Sequence, residues 1–322
     1  MTRETLERRQ VWIYLLALLL GLAAGSLWPG AGESLDALVW PALALLLYAT
    51  FTQVRIRAVP QAFKDARLLL TALIGNFAVM PVVVWGLVQF APEDQALRLG
   101  LLLVLLVPCT DWFITFTQLG KGDATGATVL APTLLIVQFL LLPLYLWLMA
   151  GEELTSVFTP ADIWPALVVV LLPLGLAALS ELLLSRGPGY RQFTSAVSWW
   201  PVPLLALVVF LVAVSHAGQA YETLHLLPVV IAVAASFLVL SLIIARALAA
   251  VARLPMEQGR TLAFTLGTRN SFIVLPFALS LPAGWEIAAI VIVMQSMVEL
   301  LGMICYLWFV PRVLFPEPRA AQ

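Results

Sequence analysis

The sequence predicts an all-α integral membrane protein that crosses the bilayer ten times, in two halves of opposite orientation. Three observations carry this. Of 322 residues, 62% are hydrophobic and only 11% are charged, against about 25% charged in a soluble domain. The mean hydropathy is +1.01, and a crossing helix needs roughly 20 apolar residues, which with short loops leaves room for about ten helices. The basic residues also sort to alternate loops, as shown below. The apolar runs are long and unbroken, unlike the short alternating segments of a transmembrane barrel. This composition excludes a soluble enzyme, a nucleic-acid binder and a secreted disulfide scaffold. The net charge of −1 points to no partner.

The spans are predicted at 12–29, 35–53, 67–90, 96–119, 125–149, 162–184, 193–215, 225–250, 259–282 and 286–311. The first follows a charged segment, MTRETLERRQVW, which is unlike a cleavable signal peptide. Turn signals separate the spans at Pro29-Gly30, Pro60, Pro92, Gly120-Lys121-Gly122, Gly151, Arg186-Gly187-Pro188-Gly189 and Pro282. When the loops are numbered alternately, 15 of the 17 basic residues fall on the side of the N-terminus, among them Arg57, Arg67, Lys121, Arg246, Arg260 and Arg312. The other side carries Arg98 with Glu33, Asp36, Glu93, Asp94, Glu152, Glu153, Asp162, Glu222 and Glu286. Basic loops stay in the cytoplasm, so both termini are expected there. A miscounted span would scramble the sorting.

Ten spans divide into two halves, 1–155 and 156–322, and five crossings per half force an inverted repeat. A trace of it survives. The fourth span reads Cys109-Thr110-Asp111-Trp112-Phe113-Ile114, and 159 residues later the ninth reads Thr268-Arg269-Asn270-Ser271-Phe272-Ile273. Each polar cluster follows a helix-weakening residue, Pro108 or Gly267. Unwound backbone at membrane depth is tolerated only inside protein or along a cavity. The fourth and ninth spans are therefore expected to be broken helices that cross at a transport site.

Three charges lie deep in spans: Asp111, Arg269 and Glu299. Asp111 and Arg269 are expected to face each other across the crossing. They form either a permanent ion pair or a pair that opens when solute or proton binds. Glu299, in Met294-Gln295-Ser296-Met297-Val298-Glu299, has no basic partner by sequence and suits proton carriage, with Gln295 beside it. Cys109 sits in the polar cluster and could transiently ligate a soft solute such as As(III). Cys305, between Ile304 and Tyr306, is expected to be an inert buried thiol. Asn76, Thr110, Gln138, Asn270, Ser271 and Ser296 are uncharged polar residues within spans; those near the breaks are candidates for solute binding. The tryptophans near span ends (Trp12, Trp28, Trp40, Trp147, Trp199, Trp200) suit interfacial belts. There is no cofactor motif, and an embedded enzyme or sensor finds no support: HExxH and nucleotide loops are missing, and the two histidines, His216 and His225, flank one outer loop.

On these residues the sequence resembles the bile acid:sodium symporter superfamily and, within it, the arsenite-efflux permeases. The most specific part runs from Cys109 to the Lys121-Gly122-Asp123 turn. Glu299, the Arg269-Asn270-Ser271-Phe272 stretch and Asn76 followed by Pro81 are similar to further superfamily features. The resemblance implies panel and core domains, crossing of broken helices four and nine, and export of arsenite through Cys109 and Glu299 by proton antiport across a bacterial plasma membrane. Arg269 stands where the sodium-coupled branch has an acid. The alternative is an ion-coupled symporter of an organic anion, with a proton or sodium as the coupling ion and Arg269 on the carboxylate.

Overall fold

The structure, a computed structural model, describes residues 3–54, 56–157, 160–184 and 189–317. It is all helical apart from one antiparallel bridge at Pro108 and Arg269 among the described residues. In chain order the helices are α1 (Arg3–Leu27), α2 (Pro29–Phe51), α3 (Val59–Gln89, with a π turn at Gly75–Val79), α4 (Gln95–Leu106), α5 (Trp112–Leu119), α6 (Ala124–Val157), α7 (Pro160–Leu184), α8 (Pro201–Ser215), α9 (Leu227–Val251), α10 (Met256–Gly267), α11 (Ser271–Leu279) and α12 (Glu286–Phe309). A short helix, Gly189–Val197, precedes α8. Seven described helices are long and apolar enough to cross a membrane. The apolar part of α2, Leu35–Phe51, is shorter, and the predicted fourth and ninth spans are each divided into two short helices.

Two packed groups follow from the contacts. α1 packs on α8, α8 on α2, and α2 on α7. In the other group α4 lies along α12, α9 along α10 and α12, α3 along α4, and α5 along α6. α11 joins them, touching α4 and α12 on one side and α2 and α7 on the other. The seam around α11 is filled by Leu47 and Phe51 of α2, Leu135 of α6, Val170 and Ala177 of α7, and Ile273. Between apolar helices in lipid, association depends on close packing, and glycines supply it. A Cβ on Gly21 of α1 would lie 2.6 Å from the Phe210 carbonyl of α8, and one on Gly100 of α4 would lie 2.8 Å from the Ala288 carbonyl of α12. Gly100→Leu is therefore expected to push α4 off α12 and destabilise the fold by about 1–3 kcal/mol. A lowered melting midpoint in detergent is the readout; an unchanged midpoint would contradict this packing.

Turn expectations change at Pro29-Gly30 and at Gly151. Pro29-Gly30 is not a loop: Pro29 opens α2 directly after Trp28, because proline's missing N–H costs nothing in a first turn. Gly151 does not end its helix, which runs on to Val157 and carries the predicted boundary between halves in its last turn. Arg186, Gly187 and Pro188 lie outside the described residues. Trp12, Trp28, Trp147, Trp199 and Trp200 are exposed on the surface, as a belt requires.

Candidate functional site

α4 ends at Leu106 and α5 begins at Trp112; α10 ends at Gly267 and α11 begins at Ser271. The two non-helical stretches meet antiparallel. Cys109 N–H donates to the Thr268 carbonyl (3.2 Å), and Asn270 N–H donates to the Val107 carbonyl (2.8 Å). Asn270 Nδ2 adds a bond to Thr110 Oγ1 (3.2 Å). Proline and glycine interrupt the helices, and the freed backbone groups pair with each other instead of with lipid.

Glu299 secures this crossing from α12. Its two oxygens accept the Arg269 backbone N–H at 3.1 and 3.0 Å, and Oε2 also accepts Gln295 Nε2 at 3.0 Å. Ser271 Oγ donates to Gln295 Oε1 (3.3 Å). Glu299, Gln295, Ser271, Thr110 and Arg269 are all buried, at 1% exposure or less. The Arg269 guanidinium turns the other way. Nη1 donates to Asn76 Oδ1 (3.4 Å), Nη2 donates to the Leu266 carbonyl (2.6 Å), and the group lies 4.7 Å from the centre of the Phe237 ring. Its Nε has no hydrogen-bond partner. The π turn in α3 displaces one residue from the helical register, and Asn76 sits within it. Its amide donates to Ala72 O (3.1 Å) and Thr265 Oγ1 (3.4 Å).

Asp111 is the one deep charge with access to open space. It is only partly buried, and its side chain does not cap α5, where it is the N-cap residue. The Cys109 thiol donates to its Oδ1 (2.9 Å). Asp111 lines a cavity of about 730 Å³ that also meets Thr52 and Gln53 beyond α2, Ile114 and Thr115 of α5, Thr128 of α6, and the stretch from Tyr190 to Trp199 before α8. The cavity thus lies between the two packed groups of helices. Among its described lining residues the ionisable side chains are Asp111 and Tyr190; no lysine or arginine is among them.

Several expectations meet a different geometry. Asp111 and Arg269 do not form an ion pair; among the described residues the ion pair present is Lys121–Glu317 (3.1 Å). At the crossing the Arg269 backbone N–H faces Glu299, and its guanidinium turns away to Asn76. Cys305 is exposed rather than buried, on the outer face of α12, whereas Cys109 is buried. Arg260, expected in a solvated loop, is 1% exposed. It donates to the carbonyls of Phe315 (3.0 and 2.8 Å), Lys121 (3.0 Å) and Pro311 (3.3 Å). The Gln138 amide is buried without a hydrogen-bond partner. Trp112 stacks on Tyr14 at 6.1 Å and tilts against Phe272 at 5.8 Å. No group of three or more His, Cys, Asp and Glu residues among those described could hold a metal ion.

Sequence reasoning missed the cavity wall formed by Thr194, Ser195 and Ser198. The signal was available: Tyr190 to Ser198 is a polar run inside an apolar chain. It also missed Tyr306. That hydroxyl bonds Ser241 Oγ (2.6 Å) and the Leu238 carbonyl (2.5 Å), while its ring fills the space a Cβ on Gly267 would need.

Comparison with known proteins returns no match among curated sequences. Residues 40–223, more than half of the chain, match the family described as Sodium Bile acid symporter family. The matched stretch includes α4, the break, α5 and all the described residues of the cavity wall. With its apolar helices and the paired breaks at its centre, this chain belongs to the sodium/bile acid symporter family and is a membrane-embedded secondary transporter of a small solute rather than an enzyme.

Proposed function

We propose that this protein is an ion-coupled symporter of an organic anion, built from ten crossings in two inverted halves, 1–155 and 156–322, with its basic end in the cytoplasm. The observation that carries it is Asp111 in the cavity beside the crossing. An anion entering alone would meet this carboxylate with no described lysine or arginine on the lining to offset it. Opposite charges in a poorly hydrated site attract strongly, so a cation on Asp111 makes the site receptive to the anion. Neither binds well without the other, which is the requirement for co-transport. The hydroxyls of Thr115 and Ser195 then serve the anion's oxygens.

Arg269 and Glu299 hold the crossing in this reading. Arg269 is a tethered internal cation, buried and turned to Asn76, so it does not hold the solute's carboxylate. Thr110, Asn270, Ser271 and Gln295 brace the same crossing from within. The arsenite-export reading rests on Cys109, whose thiol is 1% exposed and already donates to Asp111. Cys109→Ser keeps a donor to the Asp111 carboxylate, and uptake of an organic anion is expected to stay within about twofold of wild type, since one donor replaces another on the same acceptor.

The test is uptake into proteoliposomes of a labelled bile acid and of smaller carboxylates, under an imposed sodium or pH gradient, beside arsenite transport in the same vesicles. Gradient-driven anion uptake with Cys109→Ser active supports the proposal. Arsenite movement that vanishes in Cys109→Ser, with no anion uptake, would return the metalloid reading.

A further inference from the structure

The Lys121-Gly122-Asp123 turn, prominent in the sequence, plays no part in the crossing or the cavity. Its backbone welds the basic ends of the broken helices. Arg260 of α10 donates to the Lys121 carbonyl (3.0 Å), and Asp123 N–H reaches the Glu257 carbonyl (3.2 Å) and Thr261 Oγ1 (2.8 Å). Lys121 itself has φ +57°, a left-handed conformation that a side chain makes unfavourable and that glycine adopts freely. A glycine stands on each side, so a strained lysine holds a position where the backbone favours no side chain. The fold does not explain that side chain. Its ion pair with Glu317 joins residues 67% and 60% exposed, and such pairs contribute little.

The lysine opens on a cavity of about 400 Å³ between α5, α12 and the chain that follows. One wall is apolar, formed by Leu119, Leu307, Pro311 and Pro316; Lys121, Arg312 and Glu317 form the polar rim. The floor is fixed, because buried Arg260 binds the carbonyls of Pro311 and Phe315. Arg312 lies over the ring of Trp308 (5.9 Å), and Trp308 is 55% exposed on the lipid-facing side of α12. Exposed tryptophan marks the headgroup level, so Arg312 and Lys121 sit at headgroup depth, above an apolar wall that descends along α12.

We propose that this pocket is a site for an anionic phospholipid, its phosphodiester held by Lys121 and Arg312 and its acyl chain laid against Leu307 and Leu119. Glu317 occupies Lys121 in the lipid-free state and is displaced by the phosphate. The site acts on the transporter through the turn, which is bonded to the first residues of α10.

The experiment is native mass spectrometry and thermal melting of the full-length protein in mild detergent, with phosphatidylglycerol, phosphatidylcholine or inorganic phosphate added. Wild type is expected to retain phosphatidylglycerol over phosphatidylcholine and to melt higher with it. The Lys121→Ala, Arg312→Ala double variant is expected to weaken retention about tenfold or more, as the loss of two cations from a lipid surface implies. Glu317→Gln is expected to strengthen it by freeing Lys121. Each variant's lipid-free melting midpoint separates a lost site from a lost fold, and Glu317→Gln stays informative if the double variant fails to fold. Equal retention of the two lipids, an unchanged double variant, or weaker retention by Glu317→Gln would overturn the proposal. So would stabilisation by inorganic phosphate equal to that by phosphatidylglycerol, which would assign the site to a soluble anion.

Discussion

Replacing Glu299 with leucine is expected to abolish the folded transporter. Two losses coincide. The Arg269 backbone N–H, buried at the crossing, loses the carboxylate that accepts it, and an orphaned buried donor costs about 1–3 kcal/mol. The Gln295 amide, 1% exposed, also loses the carboxylate oxygen that accepts it, a second orphaned donor of about the same cost, about 1–3 kcal/mol. Against a typical stability of about 5–15 kcal/mol, the sum is large. Glu299→Gln is expected to fold, because the amide oxygen still accepts the Arg269 N–H and Gln295 can pair with it. The check is the monodisperse fraction after detergent extraction, with its melting midpoint. A leucine variant that melts with wild type would remove Glu299 from its place at the crossing.

The helical class was legible because a membrane span is written in composition: about 20 apolar residues in a row admit few other structures. Pro108 and Gly267 marked the two breaks for an equally local reason, since each weakens the helix where it stands. The pairing of polar groups at the crossing was not legible. Arg269 and Asp111 occupy almost equivalent places in the two predicted halves, which suggested an ion pair. The bridge between Pro108 and Arg269 instead sets the backbone of Arg269 against Glu299 and sends its side chain to Asn76. That outcome depends on the backbone pairing at the break and on the π turn in α3, neither of which a hydrophobic pattern encodes. Arg260 misled for a related reason. A basic residue near a span end reads as solvated, yet backbone carbonyls left free beyond the ends of α5 and α12 can satisfy a guanidinium completely. The cavity needed the fold itself, because its walls come from segments as far apart as Thr52 and Trp199.

Asp111→Asn is expected to leave the protein folded and to uncouple it. The asparagine still accepts a hydrogen bond from the Cys109 thiol and stays at the head of α5, so the crossing is preserved. It carries no charge, so no cation is drawn to the cavity and the anion gains nothing from a gradient. Charge neutralisation at such a site is expected to cut gradient-driven accumulation by about 100-fold, the scale of a typical coupling free energy of about 1–3 kcal/mol. The groups surrounding Asp111 do not offer a substitute: Cys109 is a neutral donor, Glu299 and Arg269 are committed to the crossing, and Tyr190 is the other ionisable group on the described lining. Glu299→Gln, by contrast, is expected to remain gradient-responsive. The most direct measurement is therefore anion accumulation in sealed proteoliposomes, with and without an imposed cation gradient, for wild type, Asp111→Asn and Glu299→Gln at matched reconstitution. Accumulation that responds to the gradient in wild type and Glu299→Gln, and not in Asp111→Asn, is the expected result. A full gradient response in Asp111→Asn would contradict the assignment of coupling to this carboxylate.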